Sequence, residues 1–537
     1  MEKGRKGPGD AAPRPARTGK NTGKRQQGKR DRDRDSLRKY SADLTPEEQE
    51  RIIQRRRRRR EIERRKRRIR LAITGAACLL GLFLVIRLAV VPMFGRGKER
   101  RVEEPDTSLS SRLDAGTREE TDTVGAQTSD TVEAQTPDTM DAAAVLAGAD
   151  HYAAQYDYDK AMELIRQTPG YENNEEMTRR LNAYQETKDS CQPFPLDQVT
   201  HVFFHSLIVD PSRAFDGDIK TADYNQVMTT IPEFNKIMQS MYDKGYVLVS
   251  LHDMAEVNDQ GIMTPKQIML PPGKKAFVLS QDDVSYYHYM DGDGYATKLI
   301  IDENGEVKNE YPEDDGTILV GDYDMVPLLD TFVKEHPDFS YHGRKGILAM
   351  TGYDGVLGYR TDTAYKTFEN LDEEQRRFLD AHPAFDFEEE CRQAKEVADA
   401  MKADGWEFAS HTWGHRNATE SSVEQLSVDN EKWQTRVAPI LGKTDVIIFA
   451  FGADIGHSDE YNMSNPKFAY FMSEGFRYYC PVDGTRIWVE ITDDYLHQGR
   501  RNLDGYRMYY NPELVEDLFD AKEVFDPARP VPVPQMA

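Results

Sequence analysis

Strand and helix patterns alternate along residues 195–520, and this alternation constrains the fold more than any other feature. Short apolar segments rich in β-branched and aromatic residues alternate with amphipathic helical patterns; examples of these segments are KAFVLSQ, GILAM, WEFAS and VIIFAFG. The pattern predicts parallel strands connected by helices, in a barrel or in an open doubly wound sheet. We favour an α/β fold with a distorted (β/α) barrel. The residues best suited to chemistry all follow predicted strands, where barrel sites assemble.

The chain before this domain begins with a basic segment and an apolar segment. Residues 1–70 are rich in Lys and Arg, although the whole chain has a formal net charge of −23 at pH 7. They predict a largely disordered cytoplasmic tail with a helix near residues 45–70. Residues 71–95 are apolar apart from one charged side chain, Arg87, and predict a transmembrane anchor. A cleaved signal peptide is the alternative, but 70 preceding residues are too many for its charged region.

Charge around the apolar segment predicts its orientation. The run RRRRRREIERRKRRIR precedes it, whereas the flank after residue 95 soon becomes acidic. The positive-inside rule then predicts a single-pass cell-membrane protein with a cytoplasmic N-terminus and an extracellular catalytic domain. The basic run also suits contact with anionic lipid headgroups. Nucleic-acid binding is the alternative interpretation of such a run, and we do not expect it beside a membrane span.

Two further segments connect the predicted anchor to the barrel. Residues 96–138 are rich in Thr, Asp and Glu and predict a flexible stalk. Residues 139–190 predict a short α-helical hairpin of tetratricopeptide type, which should pack on the barrel because one such unit cannot bury its own face. Cys191, Cys391 and Cys480 are too few and too scattered for a disulfide framework, and the sequence leaves their pairing open.

Two pairs of side chains indicate a metal site. Asp282 and Asp283 end a predicted strand. Two carboxylates in one pocket repel each other unless a cation lies between them or one of them has a separate task. His411 and His415 follow another predicted strand, and a helical turn would put both rings on one side. Two histidines and a carboxylate fill three coordination positions and leave others open, as in a catalytic site. Ordinary surface or capping histidines are the alternative.

The segments SQDDVS and SHTWGH together resemble the polysaccharide deacetylase (NodB-homology) family of carbohydrate esterases, whose motifs read TFDDG and H-S/T-x-x-H. Upstream, FFHSLIVD and LPPGKKAFVLSQDD are similar in layout to the branch that acts on poly-N-acetylglucosamine. The resemblance implies that Asp283, His411 and His415 bind a divalent metal, most often Zn²⁺, and that Asp282 is the general base. It also implies that the enzyme removes N-acetyl groups from a cell-envelope polysaccharide, either peptidoglycan or poly-N-acetylglucosamine.

The chain departs from this family in three places. Val284 stands where the first motif ends in glycine, and the third motif, IIFAFGADIG, lacks the arginine that orients the base in many relatives. The histidine that serves as general acid in the family has no clear equivalent. His497 lies in the expected region without the expected spacing, and His205, at the end of the first predicted strand, is a second weak candidate.

Aromatic residues between and within the motifs suggest a glycan groove. Tyr353 and Tyr359 lie in a long Gly- and Tyr-rich loop, and they either form walls of the groove or pack over the barrel. Phe451 and Gly452, in the third motif, either lie at the groove or end an apolar strand in an ordinary turn. The sequence leaves both pairs of alternatives open.

Three hypotheses of function remain. The first is a membrane-anchored, metal-dependent carbohydrate N-deacetylase. The second is a glycan-binding module that keeps the metal and the groove but has lost the orienting arginine and the acid. The third is a scaffold whose helical hairpin or basic tail recruits partners. The sequence does not identify the polysaccharide, the native metal or the oligomeric state.

Overall fold

The computed structural model describes residues 141–456 and 461–536, and all of these belong to one compact unit. The predicted tail (1–70), membrane span (71–95) and stalk (96–138) lie outside the described residues and stay predictions. Among the described helices, none is both long enough and apolar enough to cross a bilayer.

Within the described residues, the strands are short and most of them are buried. They are β1 Gln192–Pro193, β2 Thr200–Phe204, β3 Tyr246–Leu248, β4 Ala255–Val257, β5 Met263–Pro265, β6 Met269–Leu270, β7 Lys275–Asp282, β8 Lys298–Ile301, β9 Val307–Pro312, β10 Ile318–Gly321, β11 Ile347–Met350, β12 Glu407–Ser410, β13 Val446–Ile448, β14 Tyr478–Cys480, β15 Val489–Ile491, β16 Leu496–Gln498 and β17 Arg500–Asn502.

The helices lie mainly between these strands, as the alternating pattern predicts. They are α1 Ala142–Ala154, α2 Tyr158–Arg166, α3 Glu175–Ser190, α4 Pro211–Ala214, α5 Thr221–Val227, α6 Ile231–Asp243, α7 Leu251–Met254, α8 Met325–Glu335, α9 Thr363–Thr367, α10 Glu373–Ala381, α11 Phe387–Ala403, α12 Val423–Lys432, α13 Ala438–Leu441, α14 Pro466–Ser473, α15 Gly505–Tyr510 and α16 Ala521–Val524.

The main sheet is parallel and curls into a barrel-like structure. Its strand order is β15-β16-β14-β13-β12-β11-β7-β2-β17, with β3 pairing β7 from the side and β15 antiparallel at one end. The continuous segment 496–502 pairs with β14 through β16 and with β2 through β17, so it joins the two sides of the sheet. The predicted α/β fold with a barrel-like sheet is confirmed.

Alternating side chains along β7 divide the core into two parts. Phe277 and Leu279 join a cluster between the sheet and helices α6, α8 and α11. Ala276 and Val278 face the other side, where a second cluster includes residues from α1 to α3. This period of two is what a strand buried on both faces requires. The three cysteines of the described residues are free thiols.

Helices α1 to α3 occupy the region in which we predict a helical hairpin, and they pack on the barrel. Val145 and Ile165 share the second core cluster with Val247 of β3. The hydroxyl of Tyr156 donates to the carbonyl of Asp338 at 2.7 Å. The apolar face of the helices is therefore covered by the domain that follows them.

Strands β8 to β10 form a separate three-stranded antiparallel sheet, which the predicted alternation of strands and helices does not include. Its two turns contain Asn304-Gly305 and Asp315-Gly316, and both glycines have positive φ angles of 81° and 85°. Asn-Gly and Asp-Gly pairs between alternating segments are hairpin signals. These pairs were therefore the signal in the sequence for this sheet.

Helix boundaries follow local capping chemistry. Helix α6 ends shortly before Gly245, whose φ of +80° allows a left-handed turn at the helix end. Helix α12 is capped by Ser422, whose capping box is completed by Gln425. The reciprocal bonds between Ser422 and Gln425 decide the boundary, because each satisfies a backbone N–H at the helix start.

Candidate active site

Asp282 and Asp283 serve one site because β7 ends between them. Asp282 is the last residue of the strand and is buried. Asp283 leaves the strand with φ +63°, a left-handed conformation that few residues other than glycine adopt. Its backbone N–H donates to the carbonyl of Ala349 on β11 at 3.1 Å. On a regular strand the two side chains would face opposite sides of the sheet, so this turn brings both carboxylates together.

His411 and His415 lie in the loop that follows β12, and this loop is not helical. The four-residue spacing therefore does not correspond to a helical turn. Instead, Thr412 and His415 have positive φ angles of 61° and 47°. Asp429 on α12 accepts hydrogen bonds from two consecutive backbone N–H groups between the histidines, at 2.6 and 3.0 Å. This carboxylate fixes the loop that brings His415 back towards His411.

Asp283, His411 and His415 form a cluster that suits a metal ion. Each offers one ligand atom, and these atoms all lie within 4.8 Å of one another. Nδ1 of His411 donates to the carbonyl of Ile448 at 2.8 Å, which leaves Nε2 as the ligand. Nε2 of His415 lies 3.5 Å from Oδ2 of Asp283. Two imidazoles and one carboxylate fit a divalent cation with open coordination positions.

The neighbours of this cluster keep its donors in the form that a metal requires. The hydroxyl of Tyr287 donates to Oδ1 of Asp283 at 2.9 Å, so Oδ2 is left for a cation. Burial raises the pKa of the Tyr287 phenol, which therefore stays protonated and able to donate. Burial also lowers the pKa of His415, which favours the neutral imidazole.

Arg500 holds the second aspartate. Its Nη1 and Nη2 donate to Oδ1 and Oδ2 of Asp282 at 2.7 and 3.0 Å, and both side chains are buried. The guanidinium also lies over the ring of Phe203, 4.2 Å from its centroid. Burial alone would raise the pKa of Asp282, but the charge and hydrogen bonds of Arg500 outweigh it and lower the pKa to about 2. Asp282 is therefore ionised at neutral pH.

The third motif lacks an arginine, but another part of the chain supplies one to Asp282. Arg500 reaches Asp282 from β17, the strand that joins the barrel to β2, and not from the third motif. The available signal was the pair Arg500-Arg501 near the end of the alternating region. Two adjacent arginines on one strand face opposite sides of the sheet, so one of them had to point inwards.

The model of the polysaccharide deacetylase family matches residues 361–456, a segment that contains His411, His415 and Phe451. The chain carries a polysaccharide deacetylase domain. In enzyme class it is a carbohydrate deacetylase. A comparison with curated proteins gives no match.

Two solved structures are similar to the deacetylase chain. The Streptococcus pyogenes deacetylase PplD, in complex with acetate, is 11% identical with a TM-score of 0.31, and the alignment covers 63% of this chain and 100% of that chain. BC0361, a polysaccharide deacetylase from Bacillus cereus, is 12% identical with a TM-score of 0.28, and the alignment covers 58% of this chain and 65% of that chain.

His205 lies beside Asp282 in the deacetylase domain. β2 and β7 are paired in parallel with Phe204 opposite Gln281, so the next residue on each strand brings His205 next to Asp282. Nδ1 of His205 donates to the carbonyl of Val227 at 3.1 Å, which leaves Nε2 available for proton transfer.

His497 occupies a different part of the deacetylase domain and is not a surface histidine. It is 2% exposed. Its Nε2 lies 3.1 Å from Oδ2 of Asp454, and its ring stacks on Tyr461 at 4.1 Å. Its remaining polar and ring neighbours include Glu490 and Trp488. None of these four neighbours belongs to the metal-donor cluster or contacts Asp282.

The aromatic candidates of the deacetylase domain separate in the structure. Tyr353 is partly exposed and stacks on Tyr287 at 4.7 Å, next to the metal-donor cluster. Tyr359 is 3% exposed and belongs to the core, so its interpretation as a groove wall is wrong. Val284, which replaces the family glycine, is buried in the same core cluster.

The third motif contributes an exposed ring. Phe451 is 68% exposed, and its ring lies 4.3 Å from that of His415. Gly452 has φ +64°, and a Cβ there would collide with Val482. The glycine is therefore explained by packing against its neighbour in the fold, without invoking close approach of a sugar.

Proposed function

We propose that this chain is a metal-dependent N-deacetylase of an N-acetylated cell-envelope polysaccharide, peptidoglycan or poly-N-acetylglucosamine. The observation that carries the proposal is the joint arrangement of two aspartates. Asp283 lies with two histidine ligands, and Asp282 lies beside them, bound by Arg500. A carboxylate next to a metal site but outside the donor set is suited to proton transfer.

Asp283, His411 and His415 hold the cation in this proposal. Zn²⁺ suits two imidazoles and one carboxylate best among common divalent ions. When bound, the cation supplies Lewis acidity towards a carbonyl oxygen and towards water. The hydrogen bonds from His411 to Ile448 and from Tyr287 to Asp283 keep both ligands oriented.

Asp282 accepts the proton of the attacking water. The charge of Arg500 keeps Asp282 ionised, and its two hydrogen bonds hold the carboxylate in one orientation. Oδ2 of Asp282 lies 3.9 Å from Nε2 of His411, so the acceptor is adjacent to the cation ligands. The reaction cleaves the amide C–N bond of the N-acetyl group and forms acetate and a free amine.

His205 donates the proton to the leaving amine. It lies next to Asp282, at the end of β2, the strand that pairs with β7. The bond from Nδ1 to Val227 leaves Nε2 as the donor once the ring is protonated. With Arg500 and His205 available, the argument for an inactive glycan-binding module loses its basis, since that argument depended on a missing arginine and a missing acid.

The aromatic surface beside the cluster supports a sugar substrate. Tyr353 stacks on Tyr287, which donates to Asp283, and the exposed Phe451 lies against His415. Aromatic faces of this kind pack well against sugar rings. We also propose that residues 71–95 anchor the chain in the cell membrane, with the deacetylase domain outside and the basic tail near anionic lipid headgroups.

Acetate release tests this function. The purified full chain should release acetate from at least one of three polymers, namely peptidoglycan, poly-N-acetylglucosamine and chitin oligomers. Chelation should abolish the release, and added Zn²⁺ should restore it. D282N and H411A should each lose it while staying folded by circular dichroism. A zinc-loaded chain that releases no acetate from any of these polymers contradicts the proposal.

A further inference from the structure

A cavity of about 590 Å³ lies next to the third motif. Gly452 and Ala453 form part of its wall, and they directly follow Phe451, whose ring contacts His415. Its volume falls within the range of about 300–1,000 Å³ that is usual for small-molecule pockets. We name it the Trp488 cavity, after the indole in its wall.

The wall of the Trp488 cavity carries more negative than positive charge. Asp454, Asp483 and Glu490 contribute three carboxylates, and Arg486 contributes the one guanidinium among its lining residues. Arg486 is 72% exposed and lies 3.4 Å from Asp483, so water screens much of its charge. The negative charge of these carboxylates is therefore only partly neutralised, so the cavity favours a ligand with a positive charge.

One buried nitrogen in this wall has no hydrogen bond. His497 is 2% exposed, and its Nε2 is held by Asp454 at 3.1 Å. Its Nδ1 has no hydrogen-bond partner, and Oε2 of Glu490 lies 3.6 Å away, outside hydrogen-bond distance. Buried polar atoms of this kind are rare in folded proteins. An unpaired nitrogen in the wall of a cavity indicates a ligand with polar atoms.

The indole of Trp488 is fixed in place between these groups. Its N–H donates to Oδ2 of Asp483 at 2.9 Å, and its ring packs edge-on against His497 at 4.7 Å. An indole that is fixed beside carboxylates can pack against a sugar ring, and it can also attract an ammonium group through a cation–π interaction.

We propose, building on the function proposed above, that the Trp488 cavity binds a glucosamine unit whose amine is already free and protonated. The ammonium group pairs with the carboxylates, with Glu490 as the main partner, and the sugar ring packs on Trp488. A hydroxyl of the sugar bonds Nδ1 of His497. The enzyme therefore acts on an N-acetylated unit next to a deacetylated one, and prefers partly deacetylated chains.

Calorimetry with two non-substrate ligands tests this proposal. The ligands are a β-1,4-linked glucosamine tetramer and the glucose tetramer of the same linkage, neither of which contains an acetyl group. The full chain should bind the glucosamine tetramer at least tenfold more tightly. Its ammonium group makes a charge-assisted hydrogen bond to a carboxylate, whereas glucose offers only a neutral hydroxyl at the same position. Equal affinities for the two tetramers overturn the proposal.

Three substitutions sharpen the test. E490Q should weaken binding of the glucosamine tetramer about tenfold and leave binding of the glucose tetramer unchanged. R486Q should strengthen binding of the glucosamine tetramer roughly two- to fivefold, a gain that misfolding cannot imitate. K522Q removes one positive charge, as R486Q does, but at an exposed position on α16, and it should have no effect. If E490Q and R486Q both leave the affinity unchanged, the cavity does not bind the amine.

The two proposals fail separately. A chain that releases no acetate but still prefers the glucosamine tetramer refutes only the deacetylase function. A chain that releases acetate without this preference refutes only the assignment of the cavity.

Discussion

Arg500 donates two parallel hydrogen bonds to Asp282 across 218 residues of sequence, in a site where both side chains are buried. The bidentate geometry fixes the orientation of the carboxylate as well as its charge. Loss of the arginine would leave a buried carboxylate without a counter-charge. This costs about 3–5 kcal/mol in the free energy of unfolding.

R500Q should therefore lower both activity and stability. We expect kcat for acetate release to fall by about 100-fold, because a reacting group displaced by about 1 Å loses that much. R500K keeps the charge without the paired bonds, and should recover stability more than activity. Acetate release and urea unfolding measure the two effects.

Arg501 provides the matched control for this prediction. It is the next residue on β17, faces the other side and pairs with Asp517. R501Q should lower stability while kcat of the folded protein stays within a few-fold of the wild type. Equal losses of kcat in R500Q and R501Q would show that Arg500 has no specific role at the base.

More of the candidate site than of the surrounding fold could be predicted from the sequence. The adjacent aspartates required a strand end, and the positive φ of Asp283 at the end of β7 is the local geometry that meets this requirement. Arg500 was not predictable in the same way. Its partner depends on the pairing of β17 with β2 at one end of the curled sheet, and this pairing has no local signal.

The loop between the histidines shows why spacing alone misleads. A four-residue spacing fits a helical turn, but Thr412 and His415 adopt left-handed conformations, and Asp429 of a later helix holds the loop by its N–H groups. Likewise, Tyr359 is buried under Lys298 of the unpredicted β8, whose Nζ lies 4.4 Å from the ring. Both outcomes depend on distant residues.

Y287F should weaken metal binding without unfolding the protein. The change removes the hydroxyl that donates to Oδ1 of Asp283 and leaves the ring stacked on Tyr353. Loss of a hydrogen bond behind a ligand typically costs about 10- to 100-fold in metal affinity. Competition with a zinc chelator measures this affinity. Y289F removes a hydroxyl from the next ring in the stack and should change the zinc affinity little. Equal losses of affinity in Y287F and Y289F would contradict the prediction.

H205Q should lower kcat by about 100-fold or more, since general acids contribute roughly 10²–10⁴ in rate. The loss should fall in kcat more than in KM, because glutamine keeps a polar side chain of similar length but cannot donate an acidic proton. H497Q is the comparison. Any loss there should fall in KM, through the Trp488 cavity, while kcat stays within a few-fold because His497 bonds Asp454 and contacts neither Asp282 nor the metal donors. The reverse ranking of the two variants would make His497 the acid.

His252 lies between two carboxylates on the other side of the barrel from the site loops. Its Nδ1 is 3.0 Å from Glu407 and its Nε2 is 3.0 Å from Asp445. Burial alone would lower the pKa of His252, but the hydrogen bonds and charges of Asp445 and Glu407 raise it from 6.5 to about 10. The folded protein thus retains a proton that the unfolded chain releases near pH 6.5.

The thermal stability of the protein should therefore fall as pH rises from 6.5 to 10, because the native state binds more protons than the unfolded state in this window. Below pH 6.5 both states are protonated and the full contribution of His252 is present. H252Q should have a lower Tm than the wild type at pH 6, and the difference should shrink towards pH 10. The exposed change H151Q should leave the Tm profile unaltered. Scanning calorimetry between pH 6 and 10 measures these profiles, and a wild-type profile parallel to that of H252Q would mean that His252 is not charged in the folded protein.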